Sequence, residues 1–176
     1  MSEFERGLII TPGTDRQLGA YGLFRPAPSQ QQSLELPLHT LAAKSAAPDL
    51  LWVGFAELCG GPLESADYRA LAARYPVWVI DGVPSPVVES DAALGAGSAG
   101  AWKRFLEVLD QLREHDVTPF LIGRGPLDWA SPGPGPGPAD AGPERVATLA
   151  RIADRLAVLR RLESDEELED EQTGGC

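Results

Sequence analysis

With 176 residues, 43% of them hydrophobic and 23% charged, the chain is long enough for one domain with a real core and too short for two of ordinary size. A formal net charge of −11 and only two lysines, Lys44 and Lys103, argue against nucleic acid as a partner, because affinity for phosphate backbones comes largely from clustered Lys and Arg. Two cysteines, Cys59 and the terminal Cys176, exclude a disulfide scaffold. They suit a reducing compartment, and with no signal peptide, transit peptide or run of about 18 apolar residues, the expectation is a cytoplasmic chain without an integral membrane segment.

In chain order, residues 1–33 are expected to form a poorly ordered segment. Leu8 to Thr11 could make a short strand, but Pro12, Gly13, Pro26, Pro28 and the Gln30 to Gln32 run interrupt regular structure. An α/β domain is then expected over 34–130. Leu34, Leu36, Leu38 and Leu41 are spaced as in a strand, with Pro37 pointing to an edge position. Leu50 to Phe55 is apolar throughout, the pattern of a strand covered on both faces. After the Gly60, Gly61, Pro62 break, Leu63, Ala66, Tyr68, Ala70, Leu71 and Ala73 have helical spacing. Ser65 is the expected cap, with Glu64 and Asp67 favourable near the positive helix end. Pro76 ends this helix and Val77 to Ile80 resume as a strand, so the order strand, helix, strand predicts a parallel pair.

The Gly-rich residues 85–101 read as a surface loop. Trp102, Phe105, Leu106, Val108, Leu109 and Leu112 then line one side of a helix starting near Ala101, and Val117 to Ile122 form a third strand. Ser131 to Pro143 is a Gly/Pro linker with nothing large enough to offset its ordering entropy. Pro143 suits the first position of a C-terminal helix over 144–162, with Val146, Leu149, Ile152, Ala153, Leu156 and Leu159 as its apolar stripe. Residues 163–176 form an acidic tail expected to be disordered. Seven acids between Glu163 and Glu171 account for most of the charge, and without them −11 becomes −4.

The phrase FAELCGGPLESADYRALAARY, followed by an apolar strand and the Val83, Pro84 pair, resembles a segment of the ZapE-like AAA+ ATPases, a cell-division ATPase family with mitochondrial counterparts. RFLEVLDQLREHDVTPFLIG and ATLARIADRLAVLRRL resemble its later segments, so the likeness runs from about Leu50 to Leu162. The resemblance implies the C-terminal part of such an ATPase: a partial three-layer parallel sheet with a C-terminal helix after the Gly/Pro linker. In the resembled family the cofactors are ATP and Mg. Arg104 and Arg155 stand at family-like places, and the resemblance implies cofactor-binding arginines there, reaching a nucleotide site on another chain.

Within these residues neither Lys44 nor Lys103 lies in a G-x-x-x-x-G-K-(S/T) pattern, and the GPGPGP repeat is poor in N–H donors. The Val77 to Asp81 run is followed by Gly82 where a Walker B strand would place Glu, so Asp81 is read as a strand-end or turn residue. Cys59, with only His39 and His115 available as bases, is read as packing, as are Tyr68 and the tryptophans Trp52, Trp78, Trp102 and Trp129. Asp67 is read as helix electrostatics. The leading expectation is a truncated, non-catalytic interaction module with no cofactor of its own, whose protein partner is a ZapE-like chain or division complex. The alternatives are an ATPase component supplying arginines in trans and a small-molecule binding domain at the strand ends.

Overall fold

The computed structural model describes residues 3–11, 13–47, 49–59, 63–83, 98–123 and 143–162. In order, these form β1 (Leu8–Ile10), α1 (Asp15–Ala20), β2 (Gln32–Glu35), β3 (Thr40–Ala43), β4 (Ser45–Ala47), β5 (Leu50–Gly54), α2 (Phe55–Cys59), α3 (Ser65–Arg74), β6 (Val77–Val83), α4 (Ser98–Glu114), β7 (Thr118–Gly123), α5 (Pro143–Leu156) and β8 (Arg160–Leu162). Six strands make one sheet in the order β4-β5-β6-β7-β1-β8, while β2 and β3 pair separately. Only β4 is antiparallel to its neighbour in the six-stranded sheet. The expected α/β class and parallel sheet flanked by helices are what the chain forms.

The apolar runs become the central strands because both sheet faces are covered. On one face Ile9, Leu51, Val53, Trp78, Ile80 and Leu121 join residues of α2, α3, α4 and α5 in the larger core. On the other, Leu8, Ile10, Trp52, Val79, Ile122 and Leu162 meet Leu18 of α1 and Leu23. The three described tryptophans are buried, as their reading as core anchors requires. In α4, the buried positions Trp102, Phe105, Val108, Leu109 and Leu112 follow the helical repeat. Phe55, Trp102 and Phe105 form an aromatic trio with centroids 5.4 to 6.1 Å apart.

Several expectations give way. The N-terminal segment is built into the sheet: β1 lies between β7 and β8, with Leu8, Ile9 and Ile10 buried, because an apolar strand paired on both sides satisfies its backbone inside the core. Asp116, at φ 57°, accepts from the Glu3 and Phe4 N–H groups, and the Thr118 hydroxyl donates to the Glu3 carbonyl, anchoring the approach to β1. The C-terminal helix stops at Leu156, and Arg160 to Leu162 instead pair with the outer edge of β1. Strand β5 ends at Gly54, and Phe55 opens the short α2. Helix α4 begins three residues before Ala101, at Ser98. The leucine-spaced segment folds into a hairpin, with Pro37 between β2 and β3.

The expected breaks and linkers at 60–62, most of 85–101, 131–142 and 163–176, together with Trp129 and Cys176, lie outside the described residues. Among the described residues no helix is long and apolar enough to cross a membrane.

Candidate functional site

In open parallel sheets, ligands meet the carboxyl ends of the strands, so those ends are where chemistry would gather. The β5–β6 register sets Gly54 beside Asp81 and Trp52 beside Val79, which puts Trp52 and Asp81 on one sheet face. Lys44, between β3 and β4, is carried there by its own N–H, which donates to the Trp52 carbonyl at 2.8 Å. Its ammonium donates to both Asp81 oxygens, at 2.8 and 2.9 Å, and the Trp52 indole N–H donates to Oδ2 at 2.7 Å. The Asp81 side chain is 8% exposed and that of Lys44 is 48% exposed. Asp81 therefore lies within a strand, as a nearly buried anchor, and the turn reading is corrected. The Glu57 carboxylate lies close over Gly54, where a Cβ would make it turn aside. Three hydrogen bonds from two donor groups suit Asp81 to hold strands together and occupy most of its acceptor sites.

The connections after β1 and β7 diverge, one leading to α1 and the other to α5 on the opposite sheet face. The turn at the end of β1 is occupied by Gln17, whose side chain is fully buried. Its Oε1 accepts from the Gly13 and Thr14 N–H groups at 2.9 and 3.0 Å, and its Nε2 donates to the Thr11 carbonyl at 2.8 Å. Thr14 Oγ1 accepts in return from the Gln17 N–H, completing a capping box. Arg25 donates to the Gly13 carbonyl and pairs with Asp15 at 3.1 Å. Gly13, at φ 82°, has no room for a Cβ against Ile122. The chain's own carboxamide thus takes up the Gly13 and Thr14 donors of this strand-to-helix turn, which could otherwise bond an oxyanion. The T-x-x-Q spacing of Thr14 and Gln17 is the sequence signal for this feature.

The two arginines are not brought to one point. Arg104 donates to the Cys59 carbonyl at 3.2 Å, next to the end of α2. Arg155 donates to Asp110 at 2.8 Å, six residues further along α4, or about 9 Å along its axis. Burial pushes the Cys59 thiol well above its ordinary pKa, with the nearby Arg104 charge opposing, so the thiol stays protonated and behaves as a packing group. Burial likewise raises Tyr68, whose hydroxyl donates to the Leu58 carbonyl at 2.8 Å.

Asp67 is wholly buried and receives His39 Nδ1 at 2.8 Å, the Leu38 N–H at 2.9 Å and the Glu64 N–H at 3.1 Å. Burial opposes its ionisation, and these bonds together outweigh it, holding the carboxyl below its ordinary value. Ser65 is not the cap. Glu64 holds that position, and the Ser65 hydroxyl donates to Glu107 at 3.3 Å. His115 lies against the Gln111 carbonyl. Among the described residues no cluster of three or more potential metal ligands occurs.

A family model described as AFG1-like ATPase matches residues 12–127, from the turn after β1 past the end of β7. The chain belongs to the AFG1-like ATPase family. ZapE-like ATPases fall within this family, in agreement with the resemblance of the motif around α2 and α3. "Uncharacterized protein C115.02c" of Schizosaccharomyces pombe (strain 972) is 33% identical over 105 residues, which cover 60% of this chain and 21% of that protein. The chain therefore spans about a fifth of the length of this curated AFG1-like relative. No solved structure matches. The family uses nucleotide and Mg, and the matched region contains the Asp81 anchor, the Gln17-filled turn and Arg104, whereas Arg155 lies beyond it.

Proposed function

We propose that these residues form an association module of an AFG1-like ATPase, engaging another chain of the family and turning over no ATP by themselves. The observation that carries this reading is the turn at Gln17. A triphosphate is held by outward backbone N–H groups and a lysine, and here the Gly13 and Thr14 donors already bond the Gln17 carboxamide while Lys44 already bonds Asp81. The turn as it stands does not fit a nucleotide with Mg, and no catalytic step is assigned through one. A truncated family member acting in a cell-division assembly is the setting that the resemblance supports. The free, buried thiol of Cys59 suits a reducing cytoplasm.

Calorimetric titration of the chain with ATP and Mg, beside a turnover assay, tests the proposal. Neither micromolar binding nor steady hydrolysis is expected, and both together would overturn it. The competing reading, an arginine supplied in trans, has its better candidate in Arg155, because its partner Asp110 is 50% exposed and surface ion pairs are weakly held. Stimulation of a longer AFG1-like ATPase by this chain, abolished in Arg155→Ala, would favour that reading. Stimulation that survives Arg104→Ala and Arg155→Ala would favour association alone.

A further inference from the structure

The β2–β3 hairpin is the one described pair of strands outside the six-stranded sheet. Of its side chains Leu34, Leu41 and Ala43 are buried and the others face outward, so its apolar seam is thin. β3 packs against α2 and β5, lying over the larger core as a cover.

The hairpin is fastened at both ends of β3, each time by a carboxylate rooted in the main body. At the tip, the Leu38 N–H and His39 Nδ1 bond Asp67, which is wholly buried while the His39 side chain is 30% exposed. At the foot, Lys44 bonds Asp81 and its N–H holds the Trp52 carbonyl. The acids are therefore fixed, while the groups they hold are within reach of water. Detaching the hairpin would expose Leu34, Leu41, Ala43 and the partly buried Leu36, with the parts of α2 and β5 that β3 covers, whereas opening the sheet would expose both cores. Local opening is thus the cheaper fluctuation.

We propose that residues 32–44 are a strap that opens as one unit while the six-stranded sheet stays intact, with the His39–Asp67 contact controlling the opening. Opening has a chemical consequence at the carboxyl edge of the sheet. Withdrawing Lys44 removes the counter-charge of Asp81 and leaves its carboxylate, with that of Glu57, beside Gly54. The strap thereby governs the charge and accessibility of that edge, whether or not the association proposed above occurs.

Native-state hydrogen exchange on the full chain, followed through a series of low denaturant concentrations, reads this directly. The amides of β2 and β3 are expected to exchange together, with weak denaturant dependence, ahead of those in β5, β6 and β7. His39→Ala removes only the strap's side of the contact and leaves Asp67 its bonds to Leu38 and Glu64. It should speed exchange of that block by about tenfold, the scale of one lost hydrogen bond to a charged group, and leave β6 and β7 unchanged. Exchange of β2 and β3 in step with the central strands of the unaltered chain would overturn the proposal. An equal acceleration of every strand in His39→Ala would do the same.

Discussion

Asp81 and Asp67 are both buried acids on the main body, and they differ in what depends on each. Replacing Asp81 by Ala would leave the Trp52 indole N–H without an acceptor inside the core, whereas half-exposed Lys44 could turn to water. The cost should therefore come mainly from the indole, about 1–3 kcal/mol, with the ion pair adding less than about 1. Urea unfolding should show a lower midpoint with an unchanged slope for Asp81→Ala, and a smaller loss for Asp81→Asn, which keeps an acceptor. For Asp67 the informative variable is pH. Its native pKa lies below the ordinary 3.8, so the unfolded chain takes up a proton first as pH falls. The contribution of Asp67 is complete above that ordinary value and is lost as pH drops through the native one. Stability curves of the unaltered chain and Asp67→Asn, measured from pH 6 down to about pH 2, should converge at the acid end. Curves that stay parallel would refute the assignment.

At the level of elements, β1 is the strand on which the sheet depends most. It joins β7 to β8, and Ile9 projects into the larger core at 1% exposure. Ile9→Ala should cost about 2–5 kcal/mol, as for other truncations in packed cores, a large part of a typical domain's stability. A calorimetric melting temperature close to that of the parent would contradict the assignment. The sequence made β5, β6 and β7 readable because each is a continuous apolar run, and α4 because its five buried residues keep the helical repeat. β1 was legible as a short strand from Leu8, but its place inside the sheet was obscured by Pro12 and Gly13 just beyond it and by the distance along the chain to its partners β7 and β8. β8 was obscured because Leu156 and Leu159 continue the helical spacing and only Leu162 marks a strand. The Asp81 anchor was half legible: the acid stood at the end of an apolar run, but its cation lies 37 residues away and reaches it only through the β4–β5 pairing.

For the molecule as a whole, β1 is paired on both sides, with β7 and with β8, in a chain spanning about a fifth of its curated relative. The position of β1 has a consequence for how the protein comes into being. Leu8 finds its partners at Phe120 and Arg160, so β1 is synthesised before both of the strands it lies between. At about 5–20 residues per second, roughly 110 residues of further synthesis leave Leu8, Ile9 and Ile10 unpaired for roughly 5–20 s. For that interval the nascent chain carries an apolar segment with unpaired backbone groups, while β5 and β6, made after it, can already associate. Docking of β1 closes a loop of roughly 110 residues, and until then its unpaired strand is the kind of exposed segment a chaperone would hold.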